Sequence, residues 1–281
     1  KRVGAEVVCV LLNAFTKAQN LDSKLFDFLG QRAVALGEER VLTAAQMGSI
    51  LNAFATSKMI WIDASATEGV FRGLSPALCA LPRGAYKPQV AAVVASAYAK
   101  AKVFDDELFA RISESVRWRR SRPEEYTVQA IGILLYAFSR VEVNDQLLLD
   151  FLAEVLQQLP PSSFTPQAVS VVVSVYAGAH RRRGLQTMSG AKRSVAELPQ
   201  ATGILAYIAS VAQQIEPSRF DTRHVKAIVE AYYRAGVRSE GLFAVMLDAW
   251  RLKWGSGFKN EQEMVDFLTD LELKAPGFNF T

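Results

Sequence analysis

Apolar residues recur along this chain at three- and four-residue spacing, in runs separated by short polar stretches. No segment shows the sustained alternation of a half-buried strand, so the pattern predicts amphipathic helices throughout. Each run of one class ends in a small residue followed by an aromatic. The instances are Ala14-Phe15, Ala53-Phe54, Ala97-Tyr98, Ala137-Phe138, Val175-Tyr176 and Ala231-Tyr232. The small residues are separated by 39, 44, 40, 38 and 56 positions.

A second apolar pair follows twelve and fifteen positions after the small residue: Phe26 and Leu29, Phe109 and Ile112, Leu149 and Leu152, Phe243 and Met246. Phe71 and Leu74 stand six positions late, and Leu205 and Ile208 eighteen late. With those insertions removed the pitch is 39, 38, 40, 38 and 38. A repeat of this length, with two apolar runs per unit, predicts a helical hairpin that cannot bury its stripe alone and must stack on its neighbours.

The punctuation between runs agrees. Thr43, Thr127, Thr165 and Asp221 stand where a leading helix begins, and Lys87 holds the same place in the third unit. Thr and Asp are good N-caps because their oxygen accepts a free backbone N–H of the first turn. Pro88 and Pro166 come next, at the first helical position, where a missing N–H costs nothing. The preceding Phe164 and Phe220 are placed to pack on Val169 and Val225 as hydrophobic staples. Asp22, Asp105, Asp145 and Ser239 mark the start of a second helix.

The expected fold is therefore all-α: an α-solenoid of about six two-helix repeats of ~38 residues. Its boundaries fall near 3–41, 42–85, 86–125, 126–163, 164–219 and 220–258, in a single repeat domain covering 1–281. Residues 260–273 form a capping helix, and 178–198 an inserted basic loop.

Composition sets few further limits. The 281 residues are 50% hydrophobic and 21% charged, with a net charge of +4, as in ordinary folded domains able to bury a sizeable core. The mild basicity suits a polyanionic partner without requiring one. Cys9 and Cys79 fall in apolar helical patterns and read as free buried thiols. No apolar run approaches the ~20 residues that span a bilayer, so no membrane insertion is expected. The start at Lys1 without Met suggests an upstream segment removed or left out.

Catalytic chemistry finds no foothold. The two histidines, His180 and His224, lack ligands at metal-binding spacing, and no GxxxxGK[ST], GxGxxG or GxSxG occurs. Neither an enzyme nor a cofactor or metal is expected.

The strings Phe164-Thr-Pro-Gln-Ala-Val with Val175-Tyr-Ala, and Tyr86-Lys-Pro-Gln with Ala97-Tyr-Ala-Lys and Asp106-Glu-Leu-Phe109, resemble the octotricopeptide repeat. They are similar also to the heptatricopeptide repeats of RAP-domain and FASTK-like proteins. The motif is complete in the third and fifth units. Elsewhere Val128 replaces the proline, and Arg223 and Ala45 replace the glutamine. No RAP-like pattern is read in the C-terminal residues of this sequence. The resemblance implies organellar RNA binding, in the mitochondrial matrix or alternatively a plastid. It implies a role in the mitochondrial ribosome or an RNA-processing assembly, beside neighbouring proteins. The alternative is a protein-binding scaffold, such as an accessory subunit of a respiratory or ATP-synthase complex.

Helical geometry selects one face of the leading helices for contact. One position before the small residue stand Asn13, Asn52, Ser96, Tyr136, Ser174 and Glu230. Three after it stand Lys17, Thr56, Lys100, Arg140, Gly178 and Arg234, and eight before it Gln89, Gln129, Gln167 and Arg223. Polar side chains here suit base edges, Tyr136 suits base stacking, and the cations suit phosphates. Two more clusters suit an acidic partner: Arg117, Arg119, Arg120 and Arg122 around Trp118, and Arg181, Arg182, Arg183, Lys192 and Arg193 in the insertion.

Overall fold

The computed structural model describes residues 3–20, 22–57, 62–141, 143, 145–188, 199–237 and 239–252, with the backbone alone at 179–188 and 199–202. Among these residues the protein is all-helical, with twelve α-helices and no strand. They are α1 (Ala5–Lys17), α2 (Ser23–Glu38), α3 (Ala44–Thr56), α4 (Ala64–Ala80), α5 (Pro88–Ala101), α6 (Asp106–Trp118), α7 (Val128–Arg140), α8 (Gln146–Leu156), α9 (Pro166–Met188), α10 (Pro199–Ala212), α11 (Thr222–Ala235) and α12 (Glu240–Leu252). None is long and apolar enough to cross a membrane. The expected capping helix at 260–273 lies outside the described residues.

The caps read from the sequence form as hydrogen bonds. The side chains of Thr43, Thr127, Thr165 and Asp221 accept from the N–H three residues on, at leading helices α3, α7, α9 and α11. Asp22, Asp105 and Asp145 do the same at α2, α6 and α8. Lys87 makes no such bond, and Pro88 alone sets the start of α5. A single 3₁₀ turn leads into each of α5, α7, α9 and α11, and three of the four open on a proline: Pro123, Pro161 and Pro217.

The chain divides into two compact units, residues 1–152 and those from Ala153 onward, the boundary falling inside α8. In the first unit the leading helices pack in order, α1 on α3, α3 on α5 and α5 on α7. The second helices follow in parallel, α2 on α4 and α4 on α6. The recurring aromatics join the hairpins. Phe26 of α2 meets Phe54 of α3 at 5.5 Å, Phe71 of α4 meets Tyr98 of α5 at 4.9 Å, and Phe109 of α6 meets Phe138 of α7 at 5.0 Å, all edge to face. Each pair places the aromatic of one leading helix on the second helix of the hairpin before it, the geometry that a ring quadrupole favours. Tyr98 also donates its hydroxyl to the Phe71 carbonyl at 2.7 Å. Burial pushes the phenol pKa of Tyr98 far up, so it stays a neutral donor.

Small side chains set the close approach of the second helices. A Cβ on Gly73 would lie 2.7 and 2.8 Å from the two methyl carbons of Val34 on α2. Gly69, on the same helix, has nothing within 4 Å of such a Cβ. The pair predicts opposite outcomes. Gly69→Ala should raise stability by roughly 0.5–1 kcal/mol through helix propensity. Gly73→Ala should lower it by about 1–2 kcal/mol, because overpacking outweighs the same gain. Equilibrium denaturant unfolding of the two variants checks this, and equal effects would contradict it.

The second unit repeats the scheme on fewer helices. Here α9 packs on α11 and α10 on both α9 and α12. Tyr232 of α11 donates to the Leu205 carbonyl of α10 at 2.6 Å, the counterpart of the Tyr98 bond at the same spacing of 27 residues. The loop expected at 178–198 is not a loop at its start, since α9 continues to Met188. Arg, Leu, Gln and Met in 181–188 are good helix formers, and the lone Gly184 costs only about 1 kcal/mol. Residues 189–198 lie outside the described residues.

Candidate functional site

The contacts of α1 with α3 show which way each helix position points. From α1, Cys9, Asn13 and Thr16 reach the Gln46 carbonyl, Ser49 Oγ and the Ala53 carbonyl, at 3.8, 2.7 and 3.5 Å. Positions five and one before the small residue, and two after it, thus look toward the following helix. Positions seven and four before it, and the small residue itself, look back. At about 100° per residue the outward crest lies between them, on the positions eight before and three after.

The predicted stripe therefore splits. Its crest is exposed: Gln89 and Lys100 on α5, Gln129 and Arg140 on α7, Lys17 on α1 and Thr56 on α3. The position one before leans into the helix interface. Asn13 is half-buried and spends its amide on Cys9 and Ser49. Asn52 is half-buried, and Ser96, 8% exposed, does not present its side chain as the sequence reading expects. In the first unit Tyr136 is the exception, 45% exposed on α7 about one turn from Arg140. Lys17, Lys100 and Arg140 make no ion pair with any described residue.

In the second unit the corresponding groups are already engaged. Arg234 pairs with Glu230 one turn away, and Arg223 pairs with Asp221 at 3.0 Å. Gln167 holds the His224 ring at 3.1 Å, and Ser174 bonds the Ser170 carbonyl at 2.7 Å. The first unit's α5 and α7 are thus where exposed cations and an exposed aromatic come together. Arg181, Arg182 and Arg183 lie on the extended α9, and Lys192 and Arg193 outside the described residues.

His224 joins α11 to α9. Its ring accepts from the Asp221 N–H, and the Asp221 carboxylate accepts from the His224 N–H, closing a capping box. Burial lowers the imidazole pKa below its ordinary 6.5. Asp221 pulls the other way and Arg223 adds to the lowering. The folded state therefore prefers the neutral ring. As pH falls through 6.5 the unfolded chain binds the proton first, so stability declines on acidification and levels off below the folded value. Thermal midpoints between about pH 8 and about pH 5 should fall more for the wild type than for His224→Gln, which keeps the cap without the titration.

The arginine cluster at the end of α6 is structural in part. Arg119 is 6% exposed, pairs with Glu125, and donates to the Gly84 carbonyl at 2.6 Å. Arg122 pairs with the same carboxylate at 3.2 Å, and Arg117 leans on Ser113 at 3.3 Å. Burial alone would raise the Glu125 carboxyl, but hydrogen bonds from Arg122 and Arg119 outweigh it and hold the pKa down. Arg120 also has a partner. Trp118 stays 56% exposed, its ring lying over Gly84.

Sequence reasoning missed a second ladder. Ser75 of α4 bonds the Asp105 cap of α6, and Ser113 of α6 bonds the Asp145 cap of α8. The signal was present: the residue after the second landmark is small in five units, as Gly30, Ser75, Ser113, Ala153 and Ala209. Beside Ser75 lies an open cleft of about 470 Å³, lined by Arg72, Pro76, Cys79, Asp105 and Glu107. Burial raises the Cys79 thiol pKa and Asp105 raises it further, which opposes nucleophilic use. Among the described residues no three His, Cys, Asp or Glu side chains gather as a metal site. No protein-family model matches the chain, and no curated protein is similar to it in sequence.

Proposed function

We propose that the chain is a non-enzymatic RNA-binding protein whose hairpins form an α-solenoid of about six repeats. RNA lies along the crest of the leading helices α5 and α7. The observation that supports this best is the pairing of exposed cations, which make no ion pair among the described residues, with an exposed ring. Lys100 and Arg140 can neutralise phosphates, Tyr136 can stack on a base, and Gln89 and Gln129 can bond base edges. Packed helices sit 8–10 Å apart, so Lys100 and Arg140 on neighbouring helices can reach successive stretches of one strand. Lys17 extends the row to the first hairpin.

The octotricopeptide-type resemblance carries the rest of the proposal: a mitochondrial matrix protein, with a plastid as the alternative, built into the ribosome or an RNA-processing assembly. The paired charges of the second unit favour a second reading, a scaffold that binds protein alone. Filter binding of a single-stranded RNA of about 20 nucleotides to the full chain, at low and moderate salt, separates the two. Retention that weakens with salt supports the RNA reading. No retention at either salt concentration leaves the scaffold.

A further inference from the structure

We infer that the outward face of α1 and α2 is a docking surface for a further two-helix unit built like the chain's own. Inside the first unit, a leading helix meets its predecessor through three positions: seven and four before its small residue, and the small residue itself. On α3 these are Gln46, Ser49 and Ala53, which face α1. The small residue is shut off in every later hairpin of this unit: Ala53 is 1% exposed, and Ala97 and Ala137 are 0% exposed.

On α1 the same three positions hold Val7, Val10 and Ala14. All three are exposed, Val7 by 50% and Val10 by 60%. The second helix tells the same story. Gly73 of α4 is the residue that presses on Val34 of the preceding α2. Its counterpart on α2, one before Leu29, is Phe28, and it is 54% exposed. Two helices of one hairpin thus leave apolar side chains uncovered at the register where each following hairpin is covered by the one before it.

The internal interfaces define the occupant. Its leading helix lies along α1, offering short polar groups as Cys9, Asn13 and Thr16 offer them to α3. Its second helix supplies an aromatic to the half-buried Phe15, as Phe26 supplies one to Phe54. Val7 and Val10 replace Gln46 and Ser49, so this seat is more apolar than the one it copies.

The test fuses a second copy of residues 3–41 directly ahead of Val3, which keeps the repeat pitch. The extended chain should melt about 5 °C above the original. Val10→Asp in the original copy should abolish that gain, while moving the unextended chain by no more than about 1 °C, because an exposed position tolerates the change. An extension without a gain overturns the inference, and so does a gain indifferent to Val10→Asp. Self-association of the unextended chain in sedimentation equilibrium, lost in Val10→Asp, would assign the face to a second copy instead and equally overturn it.

Discussion

Replacing Phe109 with alanine lowers the thermal midpoint of the first unit by about 10 °C. The ring is 1% exposed and stands edge-on to Phe138 at 5.0 Å, between the third and fourth hairpins. Truncation removes its burial and leaves a cavity between helices that cannot close without shifting α7, so the cost is ~4 kcal/mol. A domain of this size loses ~2–4 °C per kcal/mol. Phe104→Ala is the control, since Phe104 is 58% exposed and its loss should move the midpoint by about 1 °C or less. Calorimetry of both variants checks the pair, and a small shift for Phe109→Ala would mean that the aromatic ladder does not hold the hairpins together.

That ladder was legible in the sequence because it rests on backbone periodicity. A landmark recurring at fixed distance from a small-aromatic pair has few places to go other than a repeated interface. The N-caps were legible for the same local reason, with Asp22, Asp105 and Asp145 each acting three residues away. The stripe was only half legible. Asn13 and Arg140 differ by about 40° around their helices, and that rotation decides whether a side chain meets a neighbouring helix or solvent. The charge pairing of Glu230 with Arg234 was readable from their four-residue spacing. Arg119 was not, because its partner at Gly84 comes from a turn 35 residues upstream. The basic run after Gly178 looked like a loop by composition, yet its residues favour helix strongly enough to extend α9.

The second large effect concerns RNA. With Lys17, Lys100 and Arg140 all replaced by alanine, affinity for single-stranded RNA should fall by about 100-fold at low salt, and the slope of log K against log salt should shrink by about 2. Each phosphate contact contributes ~0.7 to that slope on a single strand, and three contacts are removed. Stability should hardly change, because the three side chains are exposed and make no ion pair with any described residue. Tyr136→Ala provides the complement: weaker binding by about 10-fold at an unchanged salt slope, since stacking releases no counterions. Arg234→Ala should do little, its charge being already met by Glu230. If the triple variant kept its full salt slope, the crest of α5 and α7 would lose its role even if the protein bound RNA elsewhere.

The bonds that tie one hairpin to the next in residues 1–152 join residues that are close in sequence. Tyr98 reaches back 27 positions, and Ser75 and Ser113 reach ahead 30 and 32. Ordering one hairpin therefore closes only short loops, and the search for the next begins from a finished template. Such a chain should acquire its structure rapidly and piecewise, and a growing polypeptide could set each layer as it emerges, before the remainder has been synthesised.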